Sequence, residues 1–186
     1  FRDVVEGATG VNIHDFIQDW IYGRSRPNYN YTYWQEAAAG GGQNVYLVVK
    51  QIQSTAPQAF RMPVDFLMDY PSGIDDTLTF TIDARKKFVK FHLPASPINI
   101  ELDPGNWILK LKTKIPWDAY IVSVDSDLHV GQQYLAYADT LQARGGTGSF
   151  NWTMLSGSLP SGYTLNTLGR ITGSSTDTGN FVFTVR

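Results

Sequence analysis

The sequence predicts a mainly β protein in which two tandem β-sandwich domains follow a short N-terminal helical segment. Three observations carry this prediction. Apolar residues recur at helical spacing only near the start of the 186-residue chain, and they alternate with polar residues over most of the remainder. Aromatic residues, which favour strands, make up 13% of the chain. Beyond about residue 116, charged residues become sparse and Gly, Ser and Thr dominate, which indicates a second domain.

The helical segment is predicted over residues 1–26. Asn12 is suited to an N-cap, Gly23 is suited to ending a helix, and Pro27 prevents its continuation. Between them lies an apolar stripe at positions i, i+3, i+4, i+7 and i+8, formed by Ile13, Phe16, Ile17, Trp20 and Ile21. Residues 1–6 are expected to be the end of another helix. Because the stripe is bulky and apolar, it is expected to pack on this chain or on another domain.

The first sandwich is predicted over residues 27–116, where period-two alternation begins at Tyr29. The alternating runs lie at residues 29–34, 44–53, 64–70, 78–82, 89–93, 98–102 and 109–111. The Gly-rich stretch 35–42 is expected to be a loop, and the sequence Asp-Pro-Gly-Asn at 103–106 is typical of a turn. Short alternating strands separated by turns predict an antiparallel sandwich.

The second, smaller sandwich is predicted over residues 117–186, with a crossing segment at 117–124. Its candidate strands lie at residues 134–144, 149–155, 162–165, 170–173 and 180–186. Gly- and Ser-rich stretches at 145–148 and 156–162 are expected to be loops. We expect the last strand to be incomplete, or to be completed by residues beyond this stretch of sequence.

Composition excludes several classes of function. The net charge is −2 and no basic block is present, so nucleic acid is not expected as a partner. No apolar run reaches the length that spans a membrane. The chain has no cysteine, which rules out disulfides and thiol chemistry. A β-rich chain without cysteine is compatible with a bacterial protein that is secreted, periplasmic or displayed at the cell surface.

No residue is assigned a catalytic, cofactor-binding or metal-binding role from the sequence. The three histidines, His14, His92 and His129, are isolated and lack the spacing of a metal-ligand pair. Two acidic stretches, 75–76 and 125–127, offer carboxylates suited to calcium, but acidic pairs in turns are more often solvated or cap backbone amides. A hydrolase triad is unsupported, because no serine has plausible His and Asp partners.

Residues 15–34 carry a first resemblance. The order Asp-Phe-Ile-Gln-Asp-Trp-Ile-Tyr-Gly at 15–23, then Arg-Pro at 26–27, Tyr29 and Trp34, resembles the junction at the C-terminal end of the catalytic domain in the aminopeptidase N family of zinc metallopeptidases. Similar matches continue at 60–65, at 102–107 and at 109–110, so the resemblance covers residues 1 to about 114 in order. The stretch 37–42 departs from the family pattern and is interpreted as an insertion.

This resemblance implies that residues 1–26 are a helical remnant of a catalytic domain and that 27–116 are the family's β-sandwich domain. Zinc is then expected only in the missing upstream domain, which is the chain's first expected partner. The parent protein is expected to be a zinc metalloaminopeptidase, whereas this chain lacks the zinc motif and should be inactive alone. The residues expected to pack between domains are Phe16, Ile17, Trp20, Ile21, Tyr29 and Trp34. The apolar stripe should then be only partly covered.

A second resemblance begins near residue 126. The segments 130–134, 145–152, 156–162, 169–173 and 179–185 resemble the immunoglobulin-like He-PIG module of bacterial surface and secreted proteins. Ser161 stands where that module usually has the second proline of a Leu-Pro-Pro-Gly turn. The resemblance implies a spacing or anchoring role for residues 117–186.

An alternative function follows from the same module and from the aromatic content. Either sandwich is then an adhesion module that binds carbohydrate, cell wall or a protein on a bacterial surface. Trp117 and Trp152 are the aromatic residues that this alternative needs to be exposed. The tyrosines within 29–34 offer a further sugar or peptide groove, although burial in the sandwich is the simpler explanation.

Overall fold

The computed structural model describes residues 1–118, 120–121, 128–145 and 149–186. The chain divides into two compact units, Phe1–Trp117 (unit 1) and Asp118–Arg186 (unit 2). Strands hold 41% of the chain and helices 9%. The predicted fold class, a mainly β protein with a short N-terminal helical segment, is therefore confirmed. None of the helices in the described ranges is long and apolar enough to cross a membrane.

The helical segment is shorter and less regular than predicted. Helix α1 spans Arg2–Thr9, helix α2 spans His14–Phe16, and a π-helical turn follows at Ile17–Ile21. The Asn12 side chain accepts a hydrogen bond from the His14 amide at 2.9 Å, but the N-cap of α2 is Ile13, so the predicted N-cap at Asn12 is wrong by one residue. The predicted helix over 12–23 is wrong in length and type.

A wide turn explains this difference. The Tyr22 amide donates to the Ile17 carbonyl at 3.1 Å, five residues back, which adds one residue to the turn. The extra residue rotates later side chains away from a 3.6-residue stripe, so Asp19 is buried and Ile21 is exposed. Gly23 follows the turn. The position requires glycine, because a Cβ there would lie 2.1 Å from the Asp19 carbonyl oxygen.

Unit 1 contains seven strands that form two facing sheets. The strands are β1 (Asn28–Ala37), β2 (Gln43–Gln51), β3 (Met62–Asp69), β4 (Asp76–Ile82), β5 (Lys86–Leu93), β6 (Asn99–Leu102) and β7 (Leu111–Lys114). One sheet has the order β5-β2-β1-β7 and the other has the order β4-β3-β6. All pairs are antiparallel except β1 with β7, which is parallel.

The core of unit 1 lies between these two sheets. Alternate residues of each strand point inward, as the period-two pattern predicts. The buried cluster consists of Tyr29, Tyr31, Val45, Leu47, Val49, Val64, Phe66, Met68, Ile82, Leu93, Ile100 and Leu102. The predicted tyrosine groove at 29–34 is thus wrong for Tyr29 and Tyr31, whose side chains lie in this core.

Two strand boundaries in unit 1 differ from the prediction. Strand β1 continues to Ala37, because Gln35 and Glu36 pair with Val45 and Asn44 of β2, which confines the loop to the residues after Ala37. Strand β7 begins at Leu111 instead of residue 109. The residues before it are held in a loop by the Asp103 carboxylate, as described below.

The described part of unit 2 contains shorter strands in three small sheets. The strands are β8 (Tyr120–Ile121), β9 (Tyr137–Thr140), β10 (Ala143–Arg144), β11 (Met154–Gly157), β12 (Tyr163–Leu165), β13 (Arg170–Gly173) and β14 (Phe183–Val185). The sheets are β10-β8, β11-β14 and β12-β13-β9. The buried cluster consists of Leu141, Trp152 and Ile171, with half-buried side chains packed around it.

The predicted strand at 170–173 is confirmed as β13, and the others are shorter, interrupted or displaced. The strand predicted at 149–155 is displaced, because β11 (Met154–Gly157) runs into the predicted loop at 156–162. The run at 134–144 divides into β9 and β10, and Tyr134 has a positive φ of 63° that is incompatible with an extended strand. Strand β14 occupies only Phe183–Val185 of the predicted 180–186. The predicted crossing at 117–124 and loop at 145–148 lie partly outside the described residues, and the acidic stretch 125–127 lies wholly outside them.

Candidate functional site

The helical segment packs on the connection between β2 and β3. Ile17 and Asp19 are buried, and the Trp20 ring lies 4.8 Å from the Phe60 ring between centroids. Asp19 Oδ2 accepts a hydrogen bond from the Arg61 amide at 3.2 Å. A side-chain ion pair joins the Arg61 guanidinium to the Asp15 carboxylate at 3.4 Å. These contacts fix one face of the segment to the sandwich.

The connection that receives the helical segment is itself rigidly held. The side chain of Gln51, a buried residue of β2, accepts from the Phe60 amide and donates to the Phe60 carbonyl, each at 2.9 Å. Gln53 donates to the carbonyls of Pro57 and Gln58, at 3.3 and 3.2 Å. Buried amide side chains with satisfied hydrogen bonds specify a single conformation. The helical segment therefore packs on a fixed surface.

The helical segment also carries exposed apolar side chains. Phe16 is 49% exposed, Ile21 61% and Tyr22 69%. We call the exposed apolar residues of this segment the helical apolar set: Phe1, Val4, Val11, Phe16, Ile21 and Tyr22. Exposed large apolar side chains grouped in one segment of a folded protein mark interaction sites more often than isolated ones do.

The structure separates the six residues predicted to pack between domains. Ile17 and Trp20 contact the sandwich side, whereas Phe16 and Ile21 belong to the helical apolar set. Two residues lie elsewhere in unit 1: Tyr29 is fully buried in the sandwich core, and Trp34 lies 6.2 Å from the Trp117 ring. Burial of its hydroxyl raises the pKa of Tyr29. Their role in packing between domains stays a prediction.

The histidines and the acidic pair at 75–76, which the structure describes, do not form a metal site. His14 and His92 are exposed, and His14 Nδ1 lies 3.3 Å from an Arg2 guanidinium nitrogen. Asp76 accepts a hydrogen bond from the Thr77 amide at 2.8 Å, as an acidic turn residue does when it caps a backbone donor. Within the described ranges, no group of three or more His, Asp and Glu side chains is arranged to hold a metal ion.

The sequence analysis missed a buried ion pair at the end of β6. Asp103 and Lys110 have side chains that are only 2% and 3% exposed, and they contact each other directly. The Asp103 carboxylate also accepts hydrogen bonds from the amides of Trp107 and Ile108, both at 3.1 Å. Burial alone would raise the pKa of Asp103, but these donors and Lys110 hold it below the usual range. In the sequence, the Asp-Pro-Gly-Asn motif at 103–106 marked this region, but it predicted a turn and no ion pair.

A second ion pair extends this contact along the strands. Lys112 Nζ lies 2.7 Å from Glu101 Oε1 and donates to the Leu102 carbonyl, also at 2.7 Å. This pair is partly exposed, unlike the pair of Asp103 with Lys110. The two pairs tie β7 to β6, one strand from each sheet. Their arrangement is structural, since both lysines are engaged by carboxylates and carbonyls.

In unit 2, an open groove of about 820 Å³ lies beside the small core. Its walls include Leu128, Leu159, Phe183 and Val185. Trp152, which the adhesion alternative needs to be exposed, is instead buried in the core. The expectation of an exposed Trp152 is therefore wrong.

A polar cluster lies near the groove. The carboxylate of Asp139 accepts hydrogen bonds from the His129 amide at 2.8 Å and from the Tyr137 hydroxyl at 3.2 Å. The His129 ring nitrogen Nδ1 lies 3.0 Å from the same oxygen. Burial and the neighbouring carboxylate raise the pKa of Tyr137 to about 12. Burial opposes the charge on Asp139, but its amide donors and His129 hold its pKa below the usual range. The cluster anchors the segment around His129 to β9.

Residues 119–186 match the He_PIG family, described as "Putative Ig domain". This match supports the immunoglobulin-like part of the predicted architecture and the interpretation of this region as a structural or adhesion module. No curated protein matches the chain.

Proposed function

We propose that this chain is the non-catalytic C-terminal accessory region of a secreted zinc aminopeptidase-like metallopeptidase. The observation that carries the proposal is the uneven burial of the helical segment. Ile17, Asp19 and Trp20 fix it to the sandwich, whereas the side chains of the helical apolar set stay exposed. A segment with this arrangement is suited to joining two folded domains. The resemblance of residues 1 to about 114 to the aminopeptidase N family supplies the identity of the second domain.

Energetics support a covered helical apolar set. Full burial of one large apolar side chain is worth about 1.5–3 kcal/mol, so covering the exposed parts of Phe16 (49%) and Ile21 (61%) would gain about 2–3 kcal/mol in total. Docking a catalytic domain on this set would recover much of that free energy. The connection held by Gln51 and Phe60 would then fix the orientation of the catalytic domain on unit 1. This is the buttressing role that we propose.

In this proposal the two ends of the chain have different tasks. Residues 1–116 buttress the catalytic domain, and residues 117–186 space or anchor the enzyme at a bacterial surface or in the periplasm. Zinc and the peptide-binding residues belong to the upstream catalytic domain, so the chain holds no cofactor of its own.

A peptidase assay tests the absence of catalysis. The purified chain is incubated with an aminoacyl-arylamide and zinc, and arylamine release is followed by absorbance. We expect release no faster than in a zinc-only control. Release that rises in proportion to the chain concentration and stops on addition of a chelator would overturn the non-catalytic assignment. The identity of the partner is tested separately, by the coding sequence upstream of residue 1, where we expect a His-Glu-x-x-His motif followed by a later Glu.

The alternative, an adhesion module, retains support from the family match of residues 119–186. A glycan array and a cell-wall pull-down with the purified chain test this alternative. We expect no retention above that of an unrelated β-sandwich protein. Specific retention that competing soluble glycan removes would establish the alternative in place of a purely structural role.

A further inference from the structure

The loop that joins β6 to β7 carries two highly exposed apolar side chains. Trp107 is 87% exposed and Leu109 is 69% exposed. Between them, Ile108 packs against the core cluster of unit 1, so the side chains of the loop alternate between surface and core. The indole ring of Trp107 lies against the backbone of Gly105, where a Cβ would overlap with its Nε1 atom. The ring therefore rests on its own loop and leaves most of its surface exposed.

The conformation of this loop is fixed by the buried pair of Asp103 and Lys110. The Asp103 carboxylate accepts the amide hydrogens of Trp107 and Ile108, and Lys110 Nζ also donates to Asn106 Oδ1 at 3.2 Å. Asp103 and Asn106 have φ values of 40° and 53°, which are uncommon for residues other than glycine. Strained backbone of this kind is concentrated at functional sites, and a buried ion pair often adds little net stability. Both features serve to hold one loop conformation, the one that exposes Trp107.

The loop lies at the same end of the sandwich as the helical segment. Strands β1 and β7 are parallel neighbours in which Asn28 pairs with Leu111, and the Leu111 amide donates to the Pro27 carbonyl at 3.0 Å. The helical segment leads into β1 and the loop leads into β7, so both lie where these parallel strands begin. After Lys114 the chain leaves β7 at the other end of the sheet.

We propose that Trp107 and Leu109 form a second contact of unit 1 with the upstream catalytic domain, which receives the indole ring in an apolar pocket. This inference rests on the proposed function, in which the helical segment joins unit 1 to that domain. Tryptophan is among the residue types most enriched at the energetic centres of protein interfaces, and a fixed loop loses little conformational entropy on docking. A contact through the helical segment alone would let the domain rotate about that segment. The second contact at the loop prevents this rotation.

The position of the loop favours this domain as its occupant. The chain enters the sandwich at this end, so the chain itself holds a preceding domain near Trp107 at a high effective concentration. A second copy of the chain has no such advantage. A carbohydrate would need polar groups beside the indole ring for its hydroxyls, whereas the next exposed side chain of the loop is the apolar Leu109.

Cysteine labelling tests this contact, because the chain has no cysteine of its own. Leu109→Cys, Ile21→Cys and Ile74→Cys are each introduced into the chain of residues 1–186 and into the protein extended upstream through its proposed catalytic domain. Labelling by N-ethylmaleimide is followed at each site by peptide mass spectrometry. We expect the rates at positions 109 and 21 to fall at least tenfold in the longer protein. The rate at position 74, in the turn between β3 and β4 at the opposite end of the sandwich, should stay within twofold.

The outcomes separate this inference from the proposed function. A slower rate at position 21 with an unchanged rate at position 109 would overturn the inference and leave the proposed function standing. Unchanged rates at both positions would overturn both. Labelling at position 109 that slows in the isolated chain as its concentration rises would overturn the inference in favour of a second copy. Binding of the isolated chain to a glycan array that Trp107→Ala abolishes would overturn it in favour of carbohydrate.

Three further substitutions, each combined with Leu109→Cys, test the indole ring itself. Each rate in the longer protein is divided by the rate of the same variant in the isolated chain. Trp107→Ala should raise this ratio at least fivefold, and Gly105→Ala, which keeps the indole but displaces it, should raise it at least threefold. Ile98→Ala is the matched control, because Ile98 is 68% exposed but precedes β6 at the opposite end, and it should leave the ratio within twofold. Equal ratios for Trp107→Ala and Ile98→Ala would contradict the docking of Trp107.

Discussion

The two units of this chain build a β core by different means. Unit 1 buries a cluster of twelve side chains between a four-stranded and a three-stranded sheet, and it closes one edge with the buried ion pair of Asp103 and Lys110. Among its described residues, unit 2 buries a cluster of three side chains beside a groove. Stabilisation scales with the apolar area removed from water. The free energy of unfolding of unit 2 should therefore depend far more on each buried side chain than that of unit 1 does. The predictions below test this difference.

Truncation of Trp152 should have the largest effect. Trp152→Ala removes the largest side chain of the three-residue cluster and should cost about 3–5 kcal/mol. That loss should abolish the fold of unit 2, whereas Phe66→Ala, a comparable truncation in the larger cluster, should leave unit 1 folded but weakened. Residue-resolved hydrogen exchange distinguishes the two results. Retained protection of β13 in Trp152→Ala would show that unit 2 has more support than its described core provides.

Breaking the buried ion pair should be the next largest effect. Lys110→Met leaves the Asp103 carboxylate buried without its cation and should destabilise unit 1 by about 3–5 kcal/mol in urea denaturation. Lys112→Met is the matched control, because its pair with Glu101 is partly exposed and should be worth less than about 1 kcal/mol. Equal effects of the two substitutions would show that burial of Asp103 does not set the strength of its pair.

The stability of unit 1 should fall in acid. The folded-state pKa of Asp103 lies below its unfolded value of 3.8, so the carboxylate contributes stability above that pH. This contribution is lost as the pH falls through the folded-state pKa. Urea midpoints measured from pH 6 down to pH 2 should show the decline, and Asp103→Asn should make it less steep. An unchanged slope in Asp103→Asn would assign the acid sensitivity to other carboxylates.

The smallest effect is expected at the helical apolar set. Phe16→Ser and Ile21→Ser should each lower the free energy of unfolding by about 1 kcal/mol, since each side chain is only about half buried. Ile17→Ala, on the fixed face of the same segment, should cost about 2 kcal/mol because Ile17 is buried. Denaturation of the three variants under identical conditions gives the comparison. A cost of Phe16→Ser that equals the cost of Ile17→Ala would place Phe16 in the core of unit 1.

Alternation predicted the strands of unit 1 well, because burial on one face imposes a period of two. Val64, Phe66 and Met68 point inward as the pattern requires. The helical stripe was less reliable, since hydrophobic spacing does not reveal the π-helical bond from Tyr22 to Ile17 that exposes Ile21. For unit 2, the order of the strands was predicted but most of their bounds were not, because its strands are short and its buried cluster is small.

Sites that depend on contacts between distant residues were beyond the sequence. The ion pair of Asp103 with Lys110 joins residues seven positions apart through a loop in which Asp103 has a positive φ of 40°. In a helix, residues seven apart share a face but lie about 10 Å apart along the axis, so no regular helix or strand brings such side chains into contact. Sequence patterns predict which residues are apolar, whereas contacts between distant residues require the folded structure.

The central claim is that a catalytic domain covers the helical apolar set in the natural protein. Hydroxyl-radical footprinting tests it by comparing side-chain oxidation in the isolated chain and in the protein extended upstream through its proposed catalytic domain. The account predicts that oxidation of Phe16, Ile21 and Tyr22 falls several-fold in the longer protein, while the exposed Ile74 reacts equally in both. Equal oxidation of the helical apolar set in the two proteins would contradict the account.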